Sequence, residues 1–529
     1  MKAKTRVAVV LLPMAVTGCM VGPDYQRPNV AVPAHFATTQ PAATQPAKLV
    51  DLSRWWESFS DPELDSLIDR AIKSNLDLRV AENRVLESRA ERQIQTSGLF
   101  PVASGSASYS RDRFSKQGFY IPGAGGASSS GSSDSSRASR AAPTTGGTGG
   151  SSSSSNGLAS AFNRSEIDTW QGGFDASWEI DIFGGVRRSI EAARADEQSS
   201  IDARRDALVT LLAEVARNYI DLRGVQRELA IARENVKSQQ STVELTRSRF
   251  QAGLATDLDV ARAEAQVATT QAQIPGLVTS RQQAIHHLGI LLAKNPTSLQ
   301  SELEAIVPIP KPPPEVPVGL PSELLKRRPD IRRAERDLAA STARIGVAKS
   351  DLFPHFALTG GLGLAAGHVD DIFRTDAVYY SIGPSVNWRI FDAGRIQANV
   401  RVQNAREEEA LATYQSTVLR SLEDVENALV AYAQERERWE ALHRAVDANQ
   451  RAVDLATQLY TKGLTDFLNV LESQRNLFAS QDQLAQSEHN LASDVVALYK
   501  ALGGGWESQE PAEQPQPKSD QKESSVVRS

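Results

Sequence analysis

Residues 201–250 read IDARRDALVTLLAEVARNYIDLRGVQRELAIARENVKSQQSTVELTRSRF, with an apolar or aromatic residue at every seventh position. The same ladder recurs 210 residues later without losing register. The paired positions are Ile201 and Leu411, Leu208 and Val418, Val215 and Val425, Leu222 and Tyr432, Leu229 and Trp439, Val236 and Val446, Val243 and Val453, and Phe250 and Tyr460. A heptad repeat of this length keeps its seam against a partner only if the helices supercoil left-handedly. The pattern predicts two long coiled-coil helices, over about 186–250 and 394–460, each roughly 100 Å long at ~1.5 Å per residue.

The remainder of the chain is duplicated as well, but with a different offset. Residues 71–82 align with 324–335, and residues 99–101 align with 352–354, both at an offset of 253. The two offsets differ by 43 residues, and Ser and Gly dominate the first half from about 115 to 157. We therefore predict two homologous halves, the first of which carries an additional flexible loop.

Each half places a pair of strands between its helices. Apolar residues alternate with others over 356–366 and 378–390, and they share one parity over 170–182, with a weaker first strand near 102–113. Such period-two segments with aromatic residues favour a membrane β-barrel whose outer face meets lipid, the alternative being a soluble hairpin packed on helices. Four strands cannot close a barrel, and open sheet edges in hydrocarbon leave backbone groups unsatisfied. If the strands span lipid, several chains must share one barrel.

The N-terminus predicts export. Three basic residues precede an apolar run over 7–16, which is typical of a signal peptide. The run ends in Val16-Thr17-Gly18-Cys19, which resembles a bacterial lipobox. Cys19 is the only cysteine, so it has no disulfide partner within the chain, and we interpret it as the acylated residue of a lipoprotein. Met20 follows it in place of the Asp that favours inner-membrane retention, which indicates the outer membrane.

Composition and motifs exclude several other functions. The formal net charge is -6, or about -9 without the basic residues of the leader, so nucleic-acid binding is not expected. A nucleophile elbow, a phosphate-binding glycine loop and an HExxH motif are all absent from the sequence, so we do not expect an enzyme. The pair His286-His287 has no acidic or cysteine ligand near it in sequence, which favours a structural role over a metal site.

At the far end of each long helix the chain turns back through a matched segment. The segments are RFQAGL over 249–254 and LYTKGL over 459–464, and each has a glycine where a helix would stop. We therefore predict a helical hairpin in each half, with shorter helices over about 63–97 and 258–293 in the first half. The return helix of the second half continues the heptad from Val470 to Leu498. A linker with eight prolines, between Pro296 and Pro321, separates the halves.

Several segments together resemble a known family. They are the lipobox followed by Gly22-Pro23-Asp24-Tyr25-Gln26-Arg27-Pro28, the segment Trp55-Trp56-Glu57-Ser58-Phe59, and the segment from Leu324 to Glu335. With the internal duplication, they resemble the outer-membrane factor family, most closely its NodT-type efflux lipoproteins, which are related to TolC. The resemblance covers about 19–502.

The resemblance implies an α+β membrane protein whose long coiled-coil helices form a periplasmic tunnel continuous with a β-barrel in the outer membrane. Three chains with four strands each would form one 12-stranded barrel in a homotrimer. Substrate would arrive from an inner-membrane transporter, usually of the resistance-nodulation-division type, through a periplasmic adaptor (membrane fusion) protein. Small molecules such as drugs would pass passively to the exterior. Cys19 would carry N-palmitoyl and S-diacylglycerol groups, with no other cofactor.

A type I protein secretion duct and a lipid-anchored coiled-coil protein without a pore remain as alternatives.

These observations predict a division of the chain into six parts. They are a signal peptide (1–18), a lipidated extended segment (19–62), a first structural repeat (63–294), a Pro-rich linker (295–321), a second structural repeat (322–502) and a disordered tail (503–529).

Candidate residues for a closed periplasmic mouth lie near the two turns. Glu472 lies where the family tends to place an acidic residue, and the position 210 residues earlier is Arg262. Carboxylates repeated around one axis would form a ring that selects cations. We hypothesise that six residues make interhelical links that hold the mouth shut: Asp257, Asp259, Arg262, Tyr460, Asp466 and Glu472. A solvated polar face is the alternative interpretation. The turn residues expected to contact the adaptor are Arg249, Gly253, Leu254, Gly463 and Leu464.

Overall fold

The computed structural model describes residues 20–33, 35–36, 52–113, 166–313 and 321–509. The predicted signal peptide, Cys19, the Ser/Gly-rich segment and the tail beyond 509 lie outside the described residues. The described chain divides into a unit built on a β-sheet and a unit built on helices.

The helices confirm the heptad prediction. In chain order they are α1 (Pro62–Ser74), α2 (Leu76–Ser97), α3 (Gly185–Gln251), α4 (Asp257–Leu291), α5 (Gln300–Leu303), α6 (Pro321–Arg327), α7 (Pro329–Ser350), α8 (Arg395–Thr461) and α9 (Phe467–Ala501). The two long helices, α3 and α8, have 67 residues each and begin and end within one residue of the predicted bounds. Six of the eight ladder positions are buried in α3 but four in α8, so α8 leaves more of its seam uncovered within one chain. Among the described residues, none of the helices combines the length and the apolar character needed to cross a bilayer.

The prediction of one continuous helix over 63–97 is wrong, because the helix breaks at Asn75. This residue has a ψ of 135°, and its side chain caps α2 by accepting a hydrogen bond from the Leu78 backbone amide (2.9 Å). The same side chain donates to the Leu291 carbonyl oxygen (2.9 Å). The second half breaks at the equivalent position, Arg328, where Pro329 starts α7. The break is therefore part of the duplication, and in the first half it places the end of α4 against the start of α2.

The main hydrophobic core lies where the halves meet within the helical unit. It contains Trp55, Trp56 and Phe59 from a short 3-10 helix, together with ladder residues of α3 and α8. The linker contacts this core, since Gln226 of α3 donates a hydrogen bond to the carbonyl oxygen of Leu303 in the linker (2.7 Å). A short helix, α5, lies inside the linker and was not predicted.

Ordered structure continues past the predicted boundary at 502. A 3-10 helix spans Trp506–Gln509. The indole of Trp506 is buried, and the guanidinium groups of Arg205 and Arg332 lie 4.7 and 5.4 Å from its ring centre. The burial of this large aromatic ring explains why the tail prediction is wrong for residues 503–509.

The sheet unit contains four antiparallel strands in the order β1 (Val102–Arg113), β2 (Glu166–Ile180), β3 (His355–Ala366) and β4 (Val378–Asn387). Both predicted pairs are present, although β4 ends at Asn387 and not at 390. The duplication extends to side-chain contacts, since Trp178 and Trp388 donate from Nε1 to the carbonyl oxygens of Leu99 (2.9 Å) and Leu352 (3.1 Å) respectively.

Candidate functional site

The first helical hairpin turns between α3 and α4. Gly253 has a φ of +73°, a left-handed conformation that favours glycine. Its amide donates to the Phe250 carbonyl oxygen (2.9 Å), and the Leu254 amide donates to that of Arg249 (2.8 Å). This pair of hydrogen bonds is a Schellman motif, which satisfies carbonyl groups at the helix end.

The second hairpin, between α8 and α9, repeats this geometry. Gly463 has a φ of +74° and donates to the Tyr460 carbonyl oxygen (3.0 Å), while Leu464 donates to that of Leu459 (2.9 Å). Leu254 and Leu464 are 65 % and 70 % exposed. The two tips thus present equivalent apolar residues to solvent.

The return helices begin differently. Thr256 and Asp259 form a capping box, in which the Asp259 carboxylate accepts from the Thr256 amide (3.1 Å) and hydroxyl (2.8 Å). Asp466 is the N-cap residue of α9, but its side chain makes no capping hydrogen bond. Asp259 therefore has a local structural role, which the gate hypothesis did not include.

Arg249 joins the two hairpins within one chain. Its Nη1 donates to the Thr461 carbonyl oxygen (3.0 Å), and its guanidinium lies 4.6 Å from the centre of the Tyr460 ring. Tyr460 is buried in a small core and packs on Phe467, with ring centres 5.7 Å apart. Its hydroxyl has no hydrogen-bond partner among the described residues. Two predicted candidates, Arg249 from the adaptor set and Tyr460 from the gate set, thus come together, and both support the packing of the tip.

The other gate candidates are not linked to each other within one chain. Arg262 and Glu472 are exposed, and neither makes an ion pair with any residue of the described ranges. Asp257 and Asp466 are exposed as well. Three links that sequence reasoning missed are Arg475 to Gln266 (2.8 Å), Gln474 to Thr242 (2.8 Å) and Arg247 to Glu264 (2.6 Å). For the first two of these links the sequence contained one signal, which is that polar residues lie beside the apolar heptad positions.

A second set of titratable groups lies on α3, α8 and α9, away from the turns. His489 Nε2 lies 2.6 Å from Asp221 Oδ1, and this hydrogen bond raises the pKa of His489. Gly224 makes room for the imidazole, because a Cβ placed there would lie 2.8 Å from His489 Cδ2. Burial, together with the nearby Glu435 charge, raises the pKa of Asp494 to about 6. In the described ranges, no cluster of His, Cys, Asp and Glu side chains could hold a metal ion.

The N-terminal strap, residues 21–33 and 35–36, is held by the helical unit. Gly22 has a φ of +107°, and a Cβ placed there would lie 2.5 Å from the Cα of Gly346. Arg188 donates from Nη2 to Asp24 Oδ1 (2.7 Å) and from Nε to the carbonyl oxygen of the residue before Gly22 (3.2 Å). The Arg188 side chain is 2 % exposed, so the strap supplies part of the hydrogen bonding that this buried cation requires.

A buried carboxylate holds the middle of the strap. Glu335 pairs with Arg27 (2.9 Å) and Arg336 (2.5 Å), and it accepts from the Tyr25 hydroxyl (3.4 Å). Burial, with the Glu335 charge, raises the pKa of Tyr25 to about 12. The element that resembled a family marker in the sequence is therefore a docking segment in the structure.

The strap continues toward the main core. Val30 and Val32 pack beside Ile331, and Phe36 is buried in the core itself. The successive contacts on α7 run from Gly346 back to Ile331 as the strap advances, so the strap runs along α7 in the opposite direction.

The family model described as "Outer membrane efflux protein" matches residues 67–293 and 320–504. The chain belongs to the outer membrane efflux protein family. Nodulation protein T of Rhizobium leguminosarum bv. viciae is 32% identical to it over 502 residues, which cover 95% of this chain and 94% of that protein. The pyoverdine export outer membrane protein OpmQ of Pseudomonas aeruginosa is 32% identical over 460 residues, 87% of this chain and 88% of that protein. The outer-membrane channel OprN has a similar structure, with a TM-score of 0.79 and 35% identity, covering 92% of this chain and 100% of that chain.

This outer membrane efflux protein is thus an efflux channel of the Gram-negative outer membrane, and the fold expected from the resemblance is confirmed. The two matched stretches correspond to the duplicated halves, whereas the strap lies before the first of them.

Proposed function

We propose that this efflux channel is the exit duct of a tripartite pump. Small molecules would pass from an inner-membrane transporter of the resistance-nodulation-division type, through a periplasmic adaptor protein, to the exterior. The observation that carries the proposal is the matched pair of hairpin tips, where Leu254, Leu258, Leu464 and Leu468 are all exposed. Exposed apolar side chains grouped in sequence at both tips are typical of a protein contact. The name of the relative OpmQ, for pyoverdine export, supports a small-molecule cargo.

Three copies of the chain form the channel. Strands β1 and β4 are the two edges of the sheet within one chain, and an open edge in lipid costs several kcal/mol for each unsatisfied backbone group. Pairing each β1 with the β4 of a neighbouring copy removes every edge, and three copies give twelve strands. The uncovered seam of α8 supports the same assembly, because a neighbouring copy would bury it.

The lipid anchor is Cys19, which carries the N-palmitoyl and S-diacylglycerol groups. Support comes from the strap, because Cys19 lies two residues before a segment that Arg188 and Glu335 hold against the fold. The acyl chains would therefore be tethered close to a docked part of the protein.

The gate links act between copies. Since Arg262 and Glu472 are exposed and unpaired within the described chain, each is available to a neighbouring copy. We expect Glu472→Ala or Arg262→Ala to raise single-channel conductance in bilayers, whereas Glu437→Ala, an exposed acidic site on α8, should leave it unchanged. Unchanged conductance in both variants would contradict the hypothesis that these residues hold the periplasmic mouth shut.

Drug and dye accumulation in a deletion strain tests the adaptor surface. The strain is restored with the wild-type chain, with Leu254→Glu/Leu464→Glu, or with Val369→Glu, a control in the segment between β3 and β4. We expect the tip variant to accumulate dye as the deletion does, at normal outer-membrane protein levels, while the control exports normally. Normal export by the tip variant would contradict adaptor docking at the tips.

A further inference from the structure

The two faces of the sheet differ in chemistry. The strand register places one set of side chains on one face: Tyr109, Trp170, Phe174, Trp178, Phe356, Leu358, Leu362, Leu364, Val378, Tyr380, Ile382 and Val386. The opposite face carries mainly small and polar side chains: Ser104, Ser106, Ser108, Gln171, Asp175, Ser177, Glu179, Thr359, Tyr379, Ser381, Ser385 and Asn387. Contacts across strands agree with this division, since Gln171 Nε2 donates to the Tyr379 hydroxyl (2.8 Å).

Asp175 is the charged residue near the middle of the polar face. It pairs with Ser104 on one side and with Gly361 on the other. A Cβ at Gly361 would lie 3.1 Å from Asp175 Oδ1 and 3.2 Å from Ser381 Oγ, so glycine leaves room for the carboxylate. Asp175 is exposed and makes no hydrogen bond or ion pair with the described residues.

Each other acidic residue of the described strands has a hydrogen-bond partner, whereas Asp175 has none. Glu179, at the end of the same face, lies 2.7 Å from His355 Nδ1. Asp168, on the opposite face, accepts from the Tyr109 hydroxyl (3.0 Å). Among the described strand residues, the register puts no Lys or Arg on the polar face. The field of the Asp175 carboxylate is therefore not cancelled by a cation on its own face.

A membrane sheet of alternating character turns its apolar face to lipid and its polar face to the water-filled lumen, where substitutions tune selectivity. We infer that Asp175 lines the outer-membrane pore and makes it prefer cations to anions. The inference rests on the proposed shared barrel, in which each copy contributes one Asp175 at the same level. Surface charges act over about 10 Å at 0.1 M salt and about 3 Å at 1 M, so the preference weakens as salt rises.

Cysteine labelling tests which face of the sheet contacts water. The result does not depend on whether the periplasmic mouth is open or closed. Asp175→Cys and Phe174→Cys are expressed separately in intact cells and treated with a membrane-impermeant thiol reagent. We expect labelling of the first variant, at least tenfold faster than of the second, and no labelling of the wild-type chain, whose single cysteine is acylated. Equal rates for the two variants would overturn the assignment of the faces.

Reversal potentials in planar bilayers test the selectivity itself. Under a KCl gradient at low salt, the wild-type channel should prefer K⁺, Asp175→Asn should move the reversal potential toward zero, and Asp175→Lys should change its sign. Asp168→Asn, on the opposite face, should behave as wild type. Conducting channels with one common reversal potential would overturn the role of Asp175 and leave the channel proposal intact. If neither the wild-type protein nor the Glu472→Ala variant ever conducts, that result would contradict the channel proposal and this inference with it.

Discussion

The substitution Gly22→Ala tests how the N-terminal strap is held against α7. The added Cβ would lie 2.5 Å from the Gly346 Cα and 3.1 Å from the Gly346 backbone nitrogen, and backbone atoms inside a helix cannot rotate away. The φ of +107° adds strain for any residue with a Cβ, roughly 1–2 kcal/mol for left-handed conformations.

The strap can relieve the overlap by detaching from α7. The free energy of docking therefore sets an upper limit to the destabilisation that Gly22→Ala can cause. Docking includes the ion pair from Arg188 to Asp24 and the pair from Arg27 to Glu335. The side chain of Asp24 is largely exposed, so solvent limits the stabilisation that its ion pair with Arg188 contributes. We expect the docked state to lose about 2 kcal/mol relative to the detached state, which is about a 30-fold rise in the detached population.

Chymotrypsin cleavage after Tyr25 measures that population, because the half-buried tyrosine must leave the surface to enter the protease and cleavage follows the open fraction. Gly22→Ala should be cleaved about 30-fold faster than wild type. Gly276→Ala on α4 is the matched control, since a Cβ there meets nothing within 4 Å, and it should leave the rate unchanged. A cleavage rate in Gly22→Ala equal to that of wild type would refute the reasoning from backbone contact.

Two further predictions concern the helical unit. Asn75→Ala removes the cap of α2 and its hydrogen bond to Leu291, so we expect a loss of about 1 kcal/mol in the free energy of unfolding, measured by denaturant titration; no loss would contradict the capping role. The pKa of Asp494 is about 6 in the folded chain and 3.8 when unperturbed, so the folded state holds the proton more tightly, and stability falls as pH rises from about 4 through 6. Asp494→Asn should therefore raise the melting temperature relative to wild type at pH 8 and leave it nearly equal at pH 4, and a difference that does not vary with pH would contradict this account.

The sequence predicts the long helices within one residue because eight successive heptad positions repeat the same information. The break at Asn75 was harder to predict, since only the second copy marks it with a proline, Pro329. The strap contacts could not be predicted, because Arg188 and Glu335 lie more than 160 and 300 residues from the groups they bind. Tyr460 is buried in the small core at the hairpin tip. The gate role of the six candidates stays a prediction, because polar residues on exposed helix faces have no periodic signal that identifies their partners.

The proposed assembly is one barrel that three copies share, with four strands from each chain. Native mass spectrometry of the full-length complex, extracted in detergent from the outer membrane, measures the number of copies directly. We expect a single species of three acylated chains. A monomer, or an assembly of any other number of chains, would contradict it.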